Sequence, residues 1–262
     1  MTWWIDAKVG AAVGVTDVAL VYPLAVLATR REAGMPMRTA LAQGRLWAGG
    51  WTAGTLLIPY SIGVETLSNG VRRTTTRMLG MEEDSMTCQV AAAAATSGVI
   101  TFFGLQPIEK KMVGCCAGES SGDDERFSHV FCYTKTHGLR ALYGGVTPLF
   151  LREFVYVFAI TVANPQVTKL VEREIHAFKM ERHASIFGGF GAFLIGTSAG
   201  LVTAPFQTLN ALMKSEANRG QRMLHVLQEM FQRGALPGIN RLWYGAATRS
   251  MRTGGAGVLY YS

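Results

Sequence analysis

Two charged residues stand side by side in an otherwise apolar run. Arg152 and Glu153 interrupt "VTPLFLREFVYVFAIT", Val146 to Thr161. A guanidinium grips a carboxylate through two parallel hydrogen bonds, and a carboxylate grips an ammonium. Together the two side chains could hold a zwitterion such as an amino acid. They could also be a retained ion pair facing a wet cavity or a neighbouring protein, because charges inside a membrane helix turn away from lipid. Other reactive constellations are absent from the sequence. Cys88, Cys115, Cys116 and Cys132 have no CxxC spacing and no His at helical ligand distance, so they read as free thiols and no metal site is expected. No nucleotide-binding glycine loop or catalytic triad is present, and the chain is not expected to be an enzyme. Net charge is +7, yet no basic run with interleaved aromatics suggests nucleic acid. An anionic membrane surface is the simpler partner. The start, "MTWWIDAKVG", reads as neither a signal nor a transit peptide.

The elements that must position Arg152 and Glu153 come from composition and repetition. Hydrophobic residues make up 49% of the 262 and charged ones 16%, with 30 glycines. A soluble chain carries roughly 25% charged residues, and small residues favour close helix packing in lipid. Three apolar segments carry a proline in one register: Gly14 precedes Pro23, Gly98 precedes Pro107 and Gly196 precedes Pro205, each by nine residues. Gly10, Ala94 and Ala192 stand four residues earlier again, giving a small-xxx-small face before each proline. Downstream, Leu–aromatic–x–Gly recurs at Leu46–Gly49, Leu142–Gly145 and Leu242–Gly245, each time opening another apolar run. Two linked patterns in three copies indicate a threefold tandem repeat.

Each copy reads as a long helix kinked at its proline, a loop with a short amphipathic helix, and a second long helix. "DERFSHVFCYTKTHG" and "QRMLHVLQEMFQRG" have the spacing of amphipathic helices. The expected fold is all-α, with six transmembrane helices in three helix–loop–helix repeats (about 4–75, 83–175 and 183–262) related by pseudo-threefold symmetry. Loops within repeats hold 14 Lys and Arg, against 7 in the loops between them. The intra-repeat loops therefore face the side from which the chain inserts.

These features resemble the mitochondrial carrier family over nearly the whole chain. "APFQTLNALMKS" and "RTGGAGVLYY" are similar to the third repeat of ADP/ATP carriers. The resemblance implies a multi-pass protein of the mitochondrial inner membrane, with basic loops in the matrix and both termini on the intermembrane-space side. It implies helix kinks at Pro23, Pro107 and Pro205. It places Arg152, Glu153 and Arg252 at solute-contact positions, Arg252 alternatively serving as counter-charge to Asp17 or Glu65. It makes Gly49, Gly145 and Gly245 candidate cardiolipin sites; no other cofactor is expected. These glycines could instead close a turn tightly.

The family closes its matrix gate with acid–base pairs at P-x-[DE]-x-x-[KR]. Here those positions hold Ala25 and Ala28, Glu109 and Met112, and Gln207 and Asn210. Only Glu109 keeps a charge, so the gate region is expected to be held by apolar packing or hydrogen bonds. The alternative is a displaced network, with Glu109 bridged to Arg30, to Lys110 or Lys111, or to another base within a ring of several pairs. The second gate reads "VETLSN", "ANPQVTK" and, at the chain's end, Tyr260-Tyr261-Ser262, without the family's charged pattern. A transporter needs two closed states with distinct contacts. The expected function is therefore an accessory, non-transporting subunit of a larger inner-membrane assembly, with membrane lipid and other subunits as partners. An active exchanger of amino acids, keto acids or nucleotides is the alternative.

Overall fold

The computed structural model describes residues 3–16, 19, 22–32, 35–44, 46–47, 50–80, 82, 85–106, 109, 135, 138, 143–177, 184–214, 221–232 and 234–261. Among these, regular structure is entirely helical. In chain order the elements are α1 (Trp3–Thr16), α2 (Tyr22–Glu32), α3 (Met37–Ala42), α4 (Gly50–Leu79), α5 (Met86–Val99), α6 (Val146–Phe158), α7 (Asn164–Ala177), α8 (Ala184–Lys214), α9 (Met223–Gln232), α10 (Ala235–Leu242) and α11 (Ala246–Tyr261). Two π-helical stretches, Ile100–Leu105 and Ala159–Ala163, continue α5 and join α6 to α7.

Three helical stretches are long and apolar enough to cross a membrane: Met86–Leu105, Val146–Val171 and Ile186–Lys214. That fits a membrane protein. Phe102, Phe103, Phe190, Leu194, Leu201 and Val202 point outward from two of them, which suits hydrocarbon and would be costly in water. Packing runs from α1 to α4, α5, α6 and α8, then to α11, which returns to α2 and α1. The helices thus close a ring.

Local sequence explains several of these elements. Pro23 lies in α2. Pro205 lies inside the unbroken α8, and Pro107 lies outside the described residues. Pro59, which has no counterpart in the threefold pattern, lies inside α4. Ser85 caps α5, its hydroxyl accepting from the Cys88 N–H at 3.3 Å, which satisfies one orphan donor. Gly145 and Gly245 open α6 and α11 through the same turn. Val146 N–H donates to Tyr143 O and Ala246 N–H to Trp243 O, and each glycine carbonyl accepts the first helical bond.

The small-residue face expected before Pro205 is the tightest seam. Gly196 and Gly200 of α8 meet Ser250, Thr253, Gly254 and Gly257 of α11. A Cβ on Gly200 would lie 2.6 Å from Ser250 Cα, and one on Gly257 2.6 Å from Ala192 O. Backbone contact this close is open only to glycine. Where α4, α5 and α6 meet, Val64, Ala93, Ile100 and Val157 form a buried apolar cluster, flanked by Tyr60, Phe154 and Phe158.

Candidate functional site

Above that cluster the helices converge on four charges. Arg152 and Glu153 come from α6, Lys214 from the end of α8, and Glu109 from the segment beyond α5. Arg152 ion-pairs with both Glu109 and Glu153, and its Nε donates to Glu153 Oε1 at 2.7 Å. It also donates to the Gln207 side-chain oxygen. Lys214 Nζ lies 2.7 Å from Glu109 Oε2, which also accepts from Asn210 Nδ2 at 3.0 Å. Tyr60 of α4 donates to Glu153 Oε2 at 2.6 Å.

The four formal charges cancel. All four side chains are largely shielded, Lys214 completely and Arg152 to 12% exposure. Burying four charges is tolerable only when each is paired and hydrogen-bonded, and here each is. One carboxylate, Glu109, holds two cations from two different helices, and one guanidinium, Arg152, holds two carboxylates. The arrangement ties α4, α6, α8 and the Glu109 segment to one another. It can act as a fixed electrostatic joint.

Several expectations are corrected here. The gate region is not held by apolar packing and hydrogen bonds alone, because Glu109 stands in a multi-membered ion network. Its partners are not Arg30. Buried Arg30 donates instead to the carbonyls of Ala40 at 2.8 Å and Gly44 at 2.7 Å, capping the end of α3. Arg152 and Glu153 pair with each other as well as with Glu109, Gln207 and Tyr60. Of the other gate positions, Ala25 and Ala28 are buried and uncharged on α2. Gln207 and Asn210 belong to the network. Met112, Lys110 and Lys111 lie outside the described residues, as do Asp17 and Gly49. Arg252 is half-buried on α11 and is engaged within the chain.

Lys214 is the member that motif reasoning missed. Gln207, Asn210 and Lys214 follow i, i+3, i+7 spacing, which places all three on one face of a helix. That polar stripe on an apolar helix was the available signal.

At the start of α11 a concavity of about 530 Å³ is lined by Arg31, Met37, Asn240, Trp243, Tyr244 and Thr248, among others. Arg31 stacks over the Tyr244 ring at 4.0 Å and donates to its hydroxyl at 2.8 Å. Gly245, at φ +94°, forms its floor. Gly145 is more crowded. It has φ +80°, and a Cβ there would meet Asn210 Oδ1 at 3.1 Å and Met213 at 3.3 Å, so close packing on α8 accounts for this glycine. No family model and no curated protein matches the chain.

Proposed function

We propose that the chain is a carrier-fold protein of the mitochondrial inner membrane that no longer moves a solute. It serves as a fixed subunit of a larger assembly of respiratory-chain or ATP-synthase type. Six helices in three repeats cross the membrane, with the basic loops in the matrix and both termini in the intermembrane space. One observation carries the reading: the residue best suited to grip a solute, Arg152, already holds two carboxylates and an amide of its own chain. A solute would have to displace buried, charge-balanced partners, and removing one partner of such a pair costs about 3–5 kcal/mol. Bound anionic lipid belongs to the same reading. The concavity at Gly245 supports it, with Arg31 at its wall and the amino end of α11 favouring a phosphate.

Two measurements test the function together. Gentle detergent extraction followed by native sizing is expected to return a particle far larger than one 28.4 kDa chain with its detergent. Liposomes loaded with amino acids, keto acids or nucleotides are expected to show no uptake above background. Uptake that disappears in Arg152→Ala, from a carrier-sized particle, would establish the exchanger instead.

A further inference from the structure

The buried side of α5 does not keep one period to its end. Cys88, Ala92 and Thr96 follow one another at steps of four, as do Ala93, Ser97 and Thr101, and all six are buried. After Thr101 the next buried residue is Gln106, a step of five, and Glu109 follows three later. The long step falls on the π-helical stretch Ile100–Leu105, where the Gln106 N–H donates to Thr101 O. An α-helix would send the same N–H to Phe102 O. A π-turn of this kind holds one residue more than the α-turn it replaces, and Phe103, 81% exposed, stands on its outer side. If the same residues wound through as an α-helix, everything beyond would advance by one position, about 100° around the axis. Glu109 would swing away from Arg152 and Lys214. Gln106 would leave Gly144 O, to which its side-chain amide donates at 2.8 Å.

We propose that Ile100–Leu105 is a two-register turn: its π register engages Glu109 in the ion network, and its α register releases it. The Phe102 carbonyl is the contested group. In the π register its helical donor would be the N–H of residue 107, and that residue is a proline, which has none. The Tyr143 hydroxyl fills the gap. It donates to Phe102 O at 3.2 Å, and the two rings stack with centroids 6.2 Å apart. In the α register the Gln106 N–H takes Phe102 O, and Tyr143 is displaced. The backbone alone therefore favours the α register, and side chains hold the π register against it. Two of the holding contacts come from the turn before α6: the Tyr143 hydroxyl on Phe102, and the Gly144 carbonyl on Gln106. The third is the network itself. One group works against them. Thr101 Oγ1 is buried and has no hydrogen-bond partner among the described residues. Thr161, Thr203 and Thr253 each bond the carbonyl four residues back. A buried hydroxyl left unmet is costly, which keeps the two registers close in energy. The turn concerns how the network is engaged, and it stands whether or not a solute is moved.

The test is a set of thermal shifts on the full chain in detergent. Tyr143→Phe keeps the ring stack and removes the hydroxyl. It is expected to lower Tm by about 3 °C, the weight of one hydrogen bond in a chain of this size. Once Glu109→Gln has let the turn slip to the α register, the hydroxyl no longer holds anything. Tyr143→Phe is then expected to change Tm by nothing further, although Tyr143 makes its bond to Phe102 and not to the network. Strict additivity of Tyr143→Phe and Glu109→Gln would overturn the proposal. Deleting Phe103 removes the spare residue, so that an unbroken α-helix delivers Gln106 and Glu109 in their present orientation. In that background Glu109→Gln is expected to keep its loss on the order of 10 °C, and Tyr143→Phe to add to it. A Glu109→Gln loss that vanishes on deleting Phe103 would mean that the stretch holds no spare residue, and would also overturn the proposal. Should the deleted chain fail to fold, the Tyr143–Glu109 pair of substitutions decides alone.

Discussion

Neutralising Glu109 is the most direct probe of the ion network. In Glu109→Gln the shape is kept and one negative charge is lost. Arg152 retains Glu153 and Gln207, while Lys214, fully shielded, loses its carboxylate 2.7 Å away. The buried set moves from neutral to one net positive charge. Removing one partner of a buried ion pair costs about 3–5 kcal/mol. At roughly 2–4 °C per kcal/mol for a chain of this size, Tm should fall by on the order of 10 °C in a thermal-shift assay on detergent-purified protein. Lys214→Met alone should cost a similar amount, by leaving the set negative. The double variant restores neutrality, with Arg152 still on Glu153. Its loss should fall short of the sum of the single losses by about 2 kcal/mol, within the range found for residues sharing one network. Single variants that each cost no more than about 0.5 kcal/mol, the usual size of a surface change, would refute the network. So would strict additivity of the pair.

Tyr60→Phe removes the 2.6 Å bond to the Glu153 carboxylate. It should cost about 1.5–3 kcal/mol, as for a hydrogen bond to a charged group, in the same thermal-shift assay, with helical circular dichroism unchanged. Gly200→Ala drives a Cβ against Ser250 Cα and should cost about 1–3 kcal/mol by overpacking. Gly189→Ala on the same helix meets nothing within 4 Å and should be neutral or stabilising by up to about 1 kcal/mol. Equal melting temperatures for these two variants would contradict the described α8–α11 seam.

The sequence by itself determined what depends on near neighbours in the chain. The apolar composition and small-residue spacing yield helices, three of them long and apolar enough to span a membrane. The aromatic–x–Gly turns before α6 and α11 form identically because a left-handed glycine and two backbone bonds settle each turn locally. The small face from Ala192 through Gly196 was visible in the sequence, although its partner, the glycines of α11, was not. The two π-helical stretches carried no readable signal, since one extra residue per turn leaves composition unchanged. The ion network was decided by tertiary structure alone. Motif reasoning sought a base three residues after Gln207 and found Asn210. The base is Lys214, a further turn along the same face, where a long flexible side chain still reaches Glu109. Contacts across 43 and 105 residues of sequence depend on which helix faces lie together once the ring has closed. No local pattern specifies that, because one carboxylate pairs equally well with a cation from any helix brought within reach.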